Sequence, residues 1–170
     1  GIRLSTDGGN SWSDVSVGLT DLDIHGLAIS PGMPDMVFAS ADLEIFTTQD
    51  SGQSWNALAV RERFVPANCR QIAVKTDDPN VIFVALGGDD NSVSGVVQRS
   101  KDRGESWEAL TFPVAPNTPI WNFAMNETDP DLIICSTHYG QVFVSYDAGD
   151  VWHKVRQEFS EIRALAWAPN

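Results

Sequence analysis

The side chains best equipped for chemistry form a row. His25, Arg70, Trp121 and Arg163 each stand three positions before an alanine, namely Ala28, Ala73, Ala124 and Ala166. Asn122 follows Trp121, and His138 and Tyr139 stand together further on. Arginines suit an anion, because the guanidinium presents a planar fork of donors. Trp121 and Tyr139 offer flat apolar faces with a polar edge, suited to a sugar ring. His25 and His138, with Asp23 or Asp42, carry donor types that a metal takes. No His-x-x-x-His pair supports such a site, so no metal or cofactor is expected. The set predicts binding of a polar ligand and leaves the catalytic residues unknown.

Hydrolytic chemistry finds no sharper signal. A glycosidase needs two carboxylates at a fixed separation, and acidic pairs such as Asp21/Asp23, Asp77/Asp78 and Glu158/Glu161 are too plentiful to discriminate. No nucleophile–His–acid motif is present.

Elements that could position this row are written four times. Ser5-Thr6-Asp7-Gly8-Gly9-Asn10-Ser11-Trp12 recurs as 48–55, 100–107 and 145–152, a Ser/Thr-x-Asp-x-Gly-x-Ser-Trp pattern with Val151 its one departure. The tryptophans Trp12, Trp55, Trp107 and Trp152 are 43, 52 and 45 residues apart. That period suits a four-stranded propeller blade. Asp7, Asp50, Asp102 and Asp147 can accept backbone N–H groups and close a turn. Gly9, Gly52, Gly104 and Gly149 can take a positive φ without a Cβ clash. Both are expected to be structural.

Aligned on these turns, the chain reads as one all-β domain over 1–170, part of a β-propeller with four-stranded antiparallel blades. Residues 1–17 give the outer strands of an incomplete blade. Complete blades cover 24–59, 69–112 and 120–156, and 162–168 is the first strand of a further one. Breaker-rich segments such as Ser30-Pro31-Gly32 separate first from second strands. Leu27, Ile72, Phe123 and Leu165 are apolar at one shared position, as a core between blades requires. Under four blades suggests a larger ring of 6–8, completed by missing chain or a second copy. Strand direction puts the repeated turns on one side. The links between blades and the second-to-third loops fall on the other, axial side. That side receives the row above, with Asp21, Asp23, Arg61, Glu62, Arg63, Asn68, Asn117, Glu158 and Glu161 from the links. Asp42, Asp89, Asp90 and Asn91 come from the loops.

The repeated turn resembles the Asp-box, or bacterial neuraminidase repeat. This repeat is found in sialidases, xyloglucanases, sortilin-type receptors and photosystem assembly factors. The resemblance implies a propeller whose boxes lie at the blade periphery, remote from the ligand. It does not carry sialidase activity. That family's Phe-Arg-Ile-Pro signature is absent, and Arg63-Phe64-Val65-Pro66 has the arginine displaced. Tyr139 and Tyr146 are the only tyrosines available for its Tyr–Glu pair. Most links are short, whereas a glycanase grows long loops around its cleft. The expectation is a non-catalytic binding or scaffold module for a protein or glycan, with part of a glycoside hydrolase as the alternative.

Composition bounds the partners. A net charge of −12 offers no basic stripe to nucleic acid. No apolar run approaches the ~20 residues of a membrane span. Cys69 and Cys135 read as buried free thiols. They slightly favour a cytoplasmic setting and leave an extracellular or periplasmic one open.

Overall fold

The computed structural model describes residues 1–88 and 95–169. Asp89, Asp90 and Asn91, expected on the axial side, lie outside these. Four antiparallel sheets follow in chain order. The first has two strands, β1 (Arg3–Leu4) and β2 (Ser13–Asp14). The second is β3 (Ile24–Ser30), β4 (Met33–Ala41), β5 (Ile45–Thr48) and β6 (Asn56–Ala57). A single helical turn, α1 (Val60–Arg63), leads to β7 (Asn68–Lys75), β8 (Asp78–Gly87), β9 (Gly95–Ser100) and β10 (Glu108–Ala109). The last sheet is β11 (Ile120–Asn126), β12 (Asp129–Thr137), β13 (Val142–Ser145) and β14 (His153–Lys154). Each four-stranded sheet pairs its strands in sequence order, as in a propeller blade.

The second strand of each blade is buried on both faces, and its two-residue period divides it between neighbours. In β8, Ile82, Val84 and Leu86 pack toward the preceding blade with Phe38 and Ile45. Val81, Phe83 and Ala85 pack toward the following one with Ile133, Cys135 and Phe143. The run 81–86 therefore serves two cores. Ala39, Ala41, Phe46 and Trp55 pack with Ile2 of the two-stranded sheet in a third cluster. Cys69 and Cys135 are buried free thiols. Burial pushes the Cys69 thiol up to about 12 and raises that of Cys135 well above its ordinary value. No helix among the described residues is long and apolar enough to cross a membrane.

The four boxes share one set of backbone-closing bonds. In each, the first hydroxyl (Ser5, Thr48, Ser100 or Ser145) donates to the aspartate at 2.7–2.9 Å and accepts the glycine N–H at 2.7–2.9 Å. The aspartate's Oδ1 accepts the N–H four residues on at 2.8–2.9 Å. In three boxes a serine hydroxyl also donates to Oδ2; Val151 has none to give. These bonds, led by the serine hydroxyls, pull Asp7 and Asp50 down to about 2. Asp102 is lowered by Ser106 and Asp147 by the Val151 N–H.

The glycines do more than turn. Gly52, Gly104 and Gly149 take φ of 86°, 93° and 91°. A Cβ on each would also meet Val15, Leu58 or Phe83 of the preceding sheet at 2.9–3.0 Å. The residue before each of the four box glycines, Gly9 included, is left-handed too, at Gly8, Ser51, Arg103 and Ala148.

Two expectations are corrected. Leu27, assigned to an inter-blade core, is 53% exposed. It lines an open groove with Ile2, Leu4, Val15, Ile29, Val37 and Trp55, because the adjoining sheet has only its two outer strands. Arg63 does not reach the axial side. Its Nη1 donates to the Gly104 and Glu105 carbonyls in the box of the next blade, at 2.8 and 3.2 Å. Beside it Phe64 is buried edge-on to Trp107, ring centroids 5.5 Å apart. Arg63 and Phe64 therefore contribute contacts between blades.

Candidate functional site

A shared irregularity builds the axial rim. In β3 the pairing passes from Ile24↔Ala41 to Gly26↔Ser40, leaving His25 as an extra residue. In β7 it passes from Cys69↔Leu86 to Gln71↔Ala85, leaving Arg70. In β11 it passes from Ile120↔Thr137 to Asn122↔Ser136, leaving Trp121. Three blades thus bulge at one place, and the bulged residues are three of the four in the predicted row. A bulge bends its strand and re-aims the side chain it carries. Arg163 occupies the same position in the segment after the last sheet. There Ile162 N donates to the His138 carbonyl (3.0 Å), as Cys69 N donates to that of Asp42 (2.8 Å). Residues 162–169 form no strand ladder among the described residues.

At Trp121 and at His25 the bulged side chain meets the residue just past the end of the second strand, His138 and Asp42. Around Trp121 this gives an aromatic shelf. The His138 ring lies over the indole, centroids 4.3 Å apart and 31° between planes. Tyr139 adjoins His138 at 5.3 Å. Trp121 remains 39% exposed and Tyr139 59%, so the shelf has open faces. His138 Nε2 lies 3.2 Å from Glu161 Oε1. Arg163 Nε donates to the same oxygen at 2.9 Å. Glu161 thus ties the histidine to the arginine, and Arg163 reaches the shelf through this pair.

Around His25 the partners are carboxylates. Nε2 lies 3.4 Å from Asp42 Oδ1 and 3.9 Å from Asp23 Oδ2. Nδ1 lies 2.8 Å from the Cys69 carbonyl. Arg70, on the blade between, is half-buried. Asn122 turns into the sheet, donating to Ser136 Oγ at 3.1 Å and to the Ile162 carbonyl at 3.4 Å, so it braces the rim. Asn117 donates to the Tyr139 carbonyl at 3.2 Å and holds the loop beneath the shelf.

The sequence placed the row and missed two things. It did not single out Glu161 as the acid joining His138 to Arg163. It did not pair His25 with Asp42 and Trp121 with His138 as equivalent neighbours. The bulge decides the second, and no residue type announces it.

The family model described as sortilin, neurotensin receptor 3 matches residues 1–138. The chain belongs to the Sortilin-Vps10 family. The Asp-box propeller expected from the repeats is therefore shown, with four-stranded blades and glycosyl hydrolase-like relatives. Xyloglucanase Xgh74A of Acetivibrio thermocellus is 26% identical over 173 residues, covering 94% of this chain and 20% of that protein. An ancestral GH74 enzyme superposes with a TM-score of 0.73 at 20% identity, over 91% of this chain and 21% of that one. YCF48 bound to D1 peptide superposes with a TM-score of 0.60 at 18% identity, over 87% and 46%. The chain spans about a fifth of the length of the xyloglucanase it matches. Its blades correspond to part of a larger propeller.

Proposed function

We propose that this propeller segment binds a polar ligand on its axial face, without itself performing catalysis. The observation that supports it best is the open shelf of Trp121, His138 and Tyr139 flanked by the Glu161–Arg163 pair. Stacked rings with polar groups at their edge suit the flat face of a sugar. The similarity to Xgh74A favours a glucan. The boxes, occupied by their own turns, have a folding role in this reading.

The test is calorimetric titration of the chain with xyloglucan oligosaccharides and, separately, with an extended peptide. Trp121→Ala should weaken oligosaccharide binding about tenfold, the worth of a stacking contact of ~1.4 kcal/mol. Equal binding by parent and variant would remove the shelf from consideration.

A second reading is that the segment is part of a glycoside hydrolase, favoured by the same xyloglucanase relationship. Release of reducing ends from xyloglucan by the chain would establish it. A protein ligand is a third outcome of the titration. YCF48 binds a peptide on a similar fold, and tighter binding of the peptide arm would replace the glycan reading.

A further inference from the structure

The rim around His25 has a feature that sugar binding does not use. Asp23, His25 and Asp42 bring three ligand atoms within 4.8 Å of one another. They come from different elements: the link before β3, the β3 bulge, and the loop after β4. The sequence offered His25 with Asp23 or Asp42 as donor types, but no short spacing joined them and no metal was expected.

Two contacts outside the group orient it. The Cys69 carbonyl can only accept, so the His25 nitrogen 2.8 Å away, Nδ1, carries the proton. In the neutral ring Nε2 then presents its lone pair toward two carboxylates. Three electron-rich atoms facing one another are mutually unfavourable unless a proton on Nε2 or a bound cation sits among them. A histidine whose second nitrogen donates to a backbone carbonyl is the usual arrangement for a metal ligand, since that bond fixes tautomer and ring plane. The second contact holds Asp42: its carbonyl accepts the Cys69 N–H at 2.8 Å. One residue of the next blade thus braces both His25 and Asp42.

The dimensions fit. In a tetrahedral site with bonds of ~2.1 Å, neighbouring ligand atoms stand ~3.4 Å apart. His25 Nε2 and Asp42 Oδ1 are 3.4 Å apart. Asp23 Oδ2, at 3.9 Å, needs a movement of roughly half an ångström, and its side chain is 77% exposed and can make it. One imidazole and two carboxylates leave a fourth position open. We propose that Asp23, His25 and Asp42 bind a divalent first-row transition cation on the first complete blade, where it meets the second. The nitrogen ligand disfavours calcium and magnesium, which take oxygen. The chain's net charge of −12 raises the local cation concentration.

Zinc is the probe. Chelator-stripped protein at neutral pH should take up one zinc ion per chain in calorimetric titration. Cobalt(II) should give a d–d absorption band that zinc abolishes. His25→Ala should weaken zinc binding at least thirtyfold, and Asp42→Asn about tenfold. His153→Ala, which removes an exposed histidine on an outer strand, should leave uptake unchanged. Far-UV circular dichroism of each variant separates lost binding from lost folding, and Asp42→Asn keeps the test open if His25→Ala fails to fold. Absence of zinc uptake by the parent overturns the proposal. So does equal uptake by the folded His25→Ala protein, or loss of uptake in His153→Ala.

Discussion

Arg99 is the most informative residue to remove. It is 5% exposed and bridges two blades. Within its own sheet Nε donates to Glu108 Oε1 at 2.8 Å. Across the boundary Nη1 donates to the Ala148 carbonyl at 2.9 Å, and Nη2 pairs with Asp150 Oδ1 at 2.6 Å. Met in its place would keep an unbranched apolar stem and remove the charge and the donors. Glu108 and Asp150 are 52% and 60% exposed, so water would reach both once the guanidinium is gone. Screening therefore holds the two ion pairs together to about 1 kcal/mol. The Ala148 carbonyl, left without its donor in a tight interface, adds about 1 kcal/mol more. A total near 2 kcal/mol should lower the melting temperature by roughly 4–8 °C in a chain of this size. Differential scanning calorimetry of Arg99→Met, Asp150→Asn and the double variant provides a thermodynamic cycle. The pH dependence supplies a second check. Arg99, its nearest donor, holds Glu108 below its ordinary value of 4.5. A depressed carboxylate stabilises the fold above its unfolded value and loses that contribution as pH falls through the folded one. The gap between parent and Arg99→Met should therefore be full above pH ~5 and close as pH falls below ~4. If Arg99→Met melts within a degree of the parent at pH 7, the bridge does not hold the blades together.

Two further perturbations isolate the boxes. Gly9 and Gly149 hold the same box position, at φ of 92° and 91°, but a Cβ meets nothing within 4 Å at Gly9 and the Phe83 ring at 2.9 Å at Gly149. Gly9→Ala should cost about 1 kcal/mol of left-handed strain and Gly149→Ala a further 1–3 kcal/mol of overpacking; equal urea midpoints would deny the inter-blade contact. Val151→Ser should supply the Oδ2 partner that Asp147 lacks and raise the melting temperature by ~2 °C. In an NMR titration the same change should move the Asp147 carboxyl lower, toward the value of about 2 held by Asp7 and Asp50. Depressed values stabilise above the unfolded aspartate value and lose that effect as pH falls. The serine variant's advantage should therefore fade between pH ~4 and ~2, and an unmoved Asp147 resonance would show that the hydroxyl does not reach it.

The sequence alone determined whatever is bonded locally. Each box closes through contacts no more than four residues apart, so hydroxyl, aspartate and glycine at fixed offsets specify the turn wherever it stands. Four such turns set the strand order, and strand direction put His25, Arg70, Trp121 and Arg163 on one side. Tertiary structure decided the contacts between residues further apart than one turn. Only packing shows that the box glycines must also admit Val15, Leu58 and Phe83, or that Trp55 sends its indole N–H to the Val15 carbonyl (2.7 Å) while Trp107 and Trp152 bond within their own boxes. Arg63 was misplaced for the same reason, since its acceptors lie more than forty residues away. The rim is the clearest case. Sequence periodicity assumes a regular ladder, whereas one extra residue per first strand turns His25 toward Asp42 and Trp121 toward His138. That bulge is a property of how two strands match their lengths, which neither strand's residues state separately.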